Sequence, residues 1–461
     1  MKEKHSYIGI LTTTSLSTFL VPFIGSALNV AMPFLGKDLS LTAPQLGWVV
    51  SAYLLPTAAL LIPMGRIADL TGRRRLFFSG TLLFTIASLL SALAPNAALF
   101  FLSRILHGVG ASMIFANSAA ILTASVPPSH RGGALGINTA TVYIGMSIGP
   151  FLGGLMTSLI SWRLIFFTTA LIGATTLLLI LRYVAKDSER PPLERSSFNL
   201  SGITFYASTV LLFLGGTGLL PSRKGFLLLA ASLVVLFFFS RIEKRASLPL
   251  WESSLLKENR LFVFSNLTAL IHYASIWSSS FLLALYLQFV RGLSPEVTGL
   301  ILLSQPIIMF FLSPITGHLS DRIEPRLLSS SGMVLTTLSL ASLIPLSAQT
   351  PAYWVVGSLI LMGIGYGLFC SPNTNAIMGS VQERHYGLAS ASLATMRMLG
   401  QSLSMSLSTV VLTMVVGHKP LSSSTNTLLL KAAFWVFLIQ TLLAALGIFT
   451  SLARGKMYHR T

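Results

Sequence analysis

The sequence predicts an all-α polytopic membrane protein: fourteen spans, built as two six-helix bundles with two inserted helices. Three observations carry this. Only 10% of the 461 residues are charged while 53% are hydrophobic, and the mean hydropathy is +0.76; a soluble domain carries about 25% charged residues. Apolar runs recur along the whole chain, each near the roughly 20 residues a bilayer requires. A charged stretch between two such runs, GRIADLTGRRR at 65–75, returns in thinner form as GHLSDRIEPR at 317–326.

The spans are expected within 8–32, 45–64, 76–95, 98–125, 133–158, 163–183, 200–219, 225–240, 262–289, 297–318, 327–346, 352–372, 386–416 and 428–452. The first run is too long and too marked by Asn29 and Pro33 for a cleaved signal peptide, so it reads as a retained helix. Helices 7 and 8 lie between the polar segments 185–198 and 242–260, and the second of these has the pattern of an amphipathic helix lying on the inner face. The expected organisation is an N-terminal bundle over 1–185, the inserted pair with its linkers over 186–260, and a C-terminal bundle with its tail over 261–461. A lone Cys370 excludes an intramolecular disulfide and reads as inert core.

The net charge of +18 does not point to nucleic acid, because the basic residues fall in short loops between spans. Of the 31 lysines and arginines, Lys37, Arg163, Arg223, Lys224, Arg291, Lys419 and Lys431 lie on one side. Arg104 and Arg397 lie inside spans, and the rest lie on the other side. The positive-inside rule then places both termini in the cytoplasm, in a cell (inner or plasma) membrane, with the 65–75 hairpin facing inward.

The thin echo is part of a repeat. Gly65 and Asp69 recur as Gly317 and Asp321, and Gly132 and Gly145 recur as Gly387 and Gly400 at nearly the same offset. Related halves of this kind bind substrate at their interface near mid-membrane and rock around it. Gly65 permits close helix approach. Asp69 can accept from helix-terminal N–H groups at their positive end, and Arg73 can pair with it. Arg74 and Arg75 read either as part of the same device or as fixing topology. The second copy lacks the second glycine, Gly72, and has Glu324, Pro325 and Arg326 instead, so it is expected to be weaker. Gly145, Gly149 and Gly153 share one helix face, with Gly154 widening it and Pro150 removing a backbone donor.

With these motifs the chain resembles the major facilitator superfamily, in its fourteen-helix drug/proton antiporter branch, over nearly its whole length. GRIADLTGRRR is similar to the signature between helices 2 and 3, SRILHGVGAS (103–112) to the helix 4 motif, and GMSIGPFLGG (145–154) to the helix 5 motif of antiporters. SPNTNAIMG (371–379) and RMLGQSLS (397–404) are similar to later signatures of that branch. The resemblance implies a major-facilitator fold and a cytoplasmic gate at Gly65, Asp69, Gly72, Arg73, Gly317 and Asp321. It links the helix 5 glycines to export and the helix 4 arginine, Arg104, to proton handling.

Every one of the thirteen acidic residues falls in a loop, a tail or at a helix end. Related exporters carry an acid in helix 1 where this chain has Ile24. Without a mid-membrane carboxylate, a preference for cations loses its electrostatic warrant. His107 and His272 are the remaining coupling candidates beside Arg104, since histidine titrates near neutral pH; each reads equally as a packed core imidazole. Arg104 and Arg397 need carbonyls, amides, water or an anionic ligand. Candidates for a central cavity are Asn29, Asn117, Asn138, Tyr143, Trp277, Gln288, Gln305, Asn373, Asn375, Arg397 and Gln401. Pro372 is expected to bend helix 12 beside the last two asparagines. No phosphate loop or metal-ligand cluster is present in the sequence, so no cofactor, metal or enzymatic activity is expected.

The expected function is export of small amphipathic or hydrophobic compounds by proton antiport with alternating access, by a monomer in the lipid bilayer. Two alternatives stand beside it: a carrier for an anionic or lipid-like substrate using Arg104 and Arg397, and a non-transporting membrane sensor on the same scaffold.

Overall fold

The computed structural model describes residues 2–41, 43–186, 199–246, 250, 258–293, 295–417 and 426–457. The described residues are helical throughout, with no strand. A bilayer forces this outcome, because a helix satisfies its own backbone polar groups where no water can.

The first six helices are α1 (Lys2–Asp38), α2 (Ala43–Thr71), α3 (Arg73–Ala92), α4 (Ala97–Ser125), α5 (Arg131–Leu159) and α6 (Arg163–Tyr183). The inserted pair, α7 (Leu200–Gly218) and α8 (Arg223–Glu243), follows. The ninth span is broken into α9 (Arg260–Ile276) and α10 (Ser279–Leu285), ending in a π turn at Tyr286–Val290. The tenth is likewise divided into α11 (Pro295–Leu302) and α12 (Ser304–Leu319). The rest are α13 (Pro325–Ser342), α14 (Ala352–Gly379), α15 (Tyr386–Val415) and α16 (Asn426–Ala453). Short polar residues start several of them. Asn96 caps α4 by accepting from Leu99 N–H at 3.0 Å, and Asn259 caps α9 by accepting from Phe262 N–H at 2.9 Å.

Thirteen of the described helices or helix pairs are long and apolar enough to cross a membrane. The exception is α13, at the expected eleventh span, whose serines and threonines lower its hydropathy. Several of those hydroxyls turn inward and tie α13 to its neighbours: Ser330 meets Ser451 at 2.8 Å, and Ser339 donates to the Ser358 carbonyl at 2.6 Å. The segment expected to form an amphipathic helix, 242–260, lies largely outside the described residues.

The two bundles repeat one another at atomic level. A Cβ on Gly110 of α4 would meet the Gly80 carbonyl of α3 at 2.9 Å, and one on Gly332 of α13 would meet the Gly365 carbonyl of α14 at 2.6 Å. Likewise a Cβ on Gly145 of α5 would meet the Phe19 carbonyl of α1 at 2.9 Å, and one on Gly400 of α15 would meet the Leu270 carbonyl of α9 at 2.6 Å. Small residues set these distances, because lipid tails give apolar helices no other reason to prefer one another.

The helix 5 glycines therefore have a defined partner. Gly145, Gly149 and Gly153 all lie against α1, next to Phe19, Phe23, Ser26 and Ala27, and Ser26 Oγ donates to the Gly145 carbonyl at 3.0 Å. This face packs within the first bundle rather than across to the second. Pro150 is exposed and α5 runs unbroken through it, and Gly154 is half-buried. Pro372 likewise leaves α14 continuous.

Adding a side chain to the α1–α5 seam overpacks it. Gly153→Val should cost about 1–3 kcal/mol and lower the thermal unfolding midpoint of the purified protein. Gly357→Ala, where an added Cβ meets nothing within 4 Å, should leave that midpoint unchanged or slightly raised.

Candidate functional site

The hairpin between α2 and α3 turns on Gly72, whose φ of 120° is strained for any side chain. This turn places Arg73 one helical step from Asp69, with Nε and a terminal nitrogen both 3.0 Å from the carboxylate. Asp69 is 5% exposed. Gly387 N–H and Leu388 N–H each donate to it at 2.9 Å. These are the first free amides of α15, so a carboxylate of the first bundle caps a helix of the second. Gly65 makes the approach possible: a Cβ on Gly387 would meet its carbonyl at 2.6 Å. Arg73 also donates to the Glu383 carbonyl, and its guanidinium lies 5.4 Å from the Tyr386 ring, which Arg131 flanks at 5.6 Å.

The second copy makes the same cap. Asp321 accepts from Gly132 N–H at 2.6 Å and Gly133 N–H at 3.0 Å, the first amides of α5, and Gly132 packs against the Gly317 carbonyl. The motif's glycine and aspartate alone build this cap, but Asp321 is half-buried and, among the described residues, has no ion pair like that of Asp69 with Arg73. What the second copy lacks is the arginine, and His318 and His130 stand near Asp321 in its place. Burial pushes the Asp321 carboxyl up, while the two amides and the histidines pull against it. Arg74 reaches elsewhere, donating to the Leu181 carbonyl of α6 at 3.1 Å.

Beyond these caps a cavity of about 340 Å³ opens between the bundles. Faces of α1, α2, α4 and α5 line one side, and faces of α9, α14 and α15 line the other. Of the expected residues it gathers Asn138, Tyr143, Trp277, Arg397 and Gln401. The side chain of Asn29 lies outside the described residues. Asn117, Gln288, Gln305, Asn373 and Asn375 are not on the cavity wall. Asn117 donates back to the Met113 carbonyl, Asn375 ties α14 to Ser320, and Asn373 accepts from Arg454 at 2.9 Å. Polarity within an apolar helix thus marks helix-packing ties as readily as a cavity.

The coupling candidates also sit off the cavity. His107 meets Ser88 Oγ at 2.9 Å and is walled by Phe84 and Phe166. His272 lies 3.2 Å from the Met333 sulfur and stacks on Phe369 at 4.1 Å. Arg104 is 1% exposed; its Nε donates to the Val49 carbonyl at 3.1 Å and its guanidinium covers the Tyr53 ring at 4.8 Å. It reaches the cavity only through that ring.

Sequence reasoning missed the aromatic lining: Tyr53, Phe115, Tyr273 and Tyr366. The signal was helical spacing, since Tyr273 and Trp277, then Tyr366, Cys370 and Thr374, then Leu393, Arg397 and Gln401 each fall on one face. It also missed Arg454, counted as a tail residue. Arg454 is 1% exposed and binds Ser451 and Asn373. Among the described residues no cluster of His, Cys, Asp and Glu could hold a metal.

The Major Facilitator Superfamily model matches this chain over residues 14–405 and 265–457. The chain belongs to that family, and it is a transporter rather than an enzyme. It is 30% identical over 413 residues to the riboflavin transporter RibZ of Clostridioides difficile, covering 87% of each chain. It is 31% identical over 407 residues to the multidrug resistance protein Stp of Mycobacterium tuberculosis, covering 85% of this chain and 73% of that one. The fold is shared with the human organic anion transporter MFSD10, at a TM-score of 0.66 and 15% identity over 97% of this chain and 98% of that one.

Cys370, the sole cysteine, lines the cavity and reports on access to it. Gly132→Val drives a side chain into the Gly317 carbonyl and should part the bundles at the caps. Maleimide labelling of Cys370 by a membrane-impermeant reagent applied from that side should then rise several-fold over wild type.

Proposed function

We propose that this transporter exports small amphipathic organic compounds from the cell by alternating access, with the central cavity as its binding site and the two carboxylate caps as its gate. The observation that carries the reading is the position of the caps. Asp69 and Asp321 each join one bundle to the first turn of a helix in the other, at one end of the cavity. Ser390 Oγ adds a further tie, donating to the Phe115 carbonyl at 2.9 Å. Closing one end of a cavity between two repeated bundles leaves rocking about that cavity as the simplest way to expose it to both sides. The concentration of arginines beside the caps, Arg73, Arg74, Arg75 and Arg131, supports a cytoplasmic placement of this end and of both termini.

The relatives named above carry riboflavin in one case and confer multidrug resistance in the other, and both descriptions suit an aromatic cavity of this size. Exchange for protons accords with the family resemblance. His107 and His272 are poorly placed for it, as neither lines the cavity. The cap carboxylates are better placed: a proton on Asp69 or Asp321 removes the charge that holds a helix N-terminus and so favours opening.

The test is dye efflux from cells lacking their own pumps, with and without an uncoupler. Wild type should clear aromatic dyes, and the uncoupler should stop it. Asp69→Asn and Asp321→Asn should each slow efflux by about tenfold or more, since each weakens charge-assisted bonds to two amides. Efflux unaffected by both substitutions would refute the gate, and efflux indifferent to the uncoupler would refute proton exchange.

A further inference from the structure

The cavity holds a cation that nothing in it balances. Arg397 faces it from α15, and among the described residues no carboxylate and no hydrogen-bond acceptor reaches its guanidinium, which lies 4.9 Å from the centre of the Phe115 ring. A charge at this depth calls for a counter-charge, a carbonyl or water. The wall formed by α2 has a matching vacancy for an acceptor. Tyr53 is 4% exposed and lines the same cavity, and its hydroxyl has no partner among the described residues. Behind its ring stands Arg104, a second cation with no acid beside it and with Nη1 unpartnered.

Two arginines and a free buried hydroxyl with no carboxylate nearby make a site for negative charge. The rest of the wall is flat and aromatic: Tyr143 and Tyr366 meet edge to face across the bundles at 5.6 Å, and Trp277 stands nearby, just past the end of α9. A ligand cation would face Arg397 with no compensating acid. A neutral ligand would leave that guanidinium unpaired while displacing its water, which is costly in a largely apolar space.

We propose that the cavity takes small planar aromatic anions, with the carboxylate or sulfonate held by Arg397 and the Tyr53 hydroxyl and the ring against Tyr143, Tyr366 and Trp277. This rests on the cavity being the transport site and names its substrate class. Arg397 suits the task because its planar fork matches a two-oxygen anion.

The experiment uses purified full-length protein and three probes of one ring system: naphthalene-2-sulfonate, the isosteric neutral naphthalene-2-sulfonamide, and 2-naphthyltrimethylammonium. Affinities are measured by equilibrium binding. Wild type should hold the sulfonate about tenfold to a hundredfold more tightly than the sulfonamide, the range of a charged hydrogen-bonded contact, and the ammonium weakest. Arg397→Gln should erase the sulfonate's advantage while moving the sulfonamide little, Arg397→Lys should keep part of it, and Tyr53→Phe should weaken the sulfonate alone. The wild-type comparison decides the matter even if a variant misfolds. Equal or tighter binding of the sulfonamide or the ammonium overturns the proposal and leaves the export reading standing. So does an Arg397→Gln effect equal for all three probes. Failure of all three to bind wild type also overturns it, and the efflux assay then shows separately whether the export reading survives.

Discussion

A carboxylate placed on the N-terminus of a helix from the opposite bundle is the interaction on which this architecture turns. The free amides of a helix's first turn carry partial positive charge and lack partners within the helix. Asp69 satisfies two of them on α15, and Asp321 satisfies two on α5. Both carboxylates reach their targets because glycines bring the backbones into contact, Gly65 with Gly387 and Gly317 with Gly132. The bonds are few, charged and local. Such contacts suit a joint that must break and reform, whereas the glycine seam between α1 and α5 runs along several turns and suits a joint that stays shut.

The cavity's character follows from where charge is allowed. Among the described residues, Asp38, Asp69, Asp321 and Glu324 lie at or beside helix ends, where they cap or pair, and the cavity wall carries arginine and no carboxylate. Arg104 is tied to the Val49 carbonyl and a tyrosine ring, and Arg454 to serine and asparagine oxygens. Arg397 alone faces the cavity with only the face of Phe115 beside it. A guanidinium cannot discharge itself by losing a proton as a histidine would, which is the ground for the anion selectivity proposed above. Fold membership by itself does not settle that selectivity, because substrate choice resides in the side chains lining the site.

Much of this was legible in the sequence. Hydropathy located the helices, since the bilayer admits few alternatives, and the offset between repeated glycines anticipated the two-fold relation of the bundles. The cap at Asp69 was legible because glycine, aspartate and arginine sit at spacings with a direct physical reading. The partners of Asp321 were not legible, because Gly132 and Gly133 are far away in the chain. The cavity was read by polarity, which caught Arg397, Gln401 and Asn138 but also drew in Asn117, Asn373 and Asn375, whose amides bond to neighbouring backbone or side chains. Tyr53 and Tyr366 escaped because a search for polar side chains passes over aromatic ones, although the helical spacing of Tyr366 with Cys370 and Thr374 marked their shared face. Arg454 escaped because it follows the last apolar run, where arginines ordinarily reach water.

If the caps hold the two bundles together at one end, spin labels at Arg75 and Arg384, one on each bundle beside the Asp69 cap, report it as a distance, in a background with Cys370 replaced by serine. Wild type should give one narrow, short distance, and Asp69→Asn should add a longer population that grows with a second substitution, Asp321→Asn. A distribution unchanged by both substitutions would contradict the account.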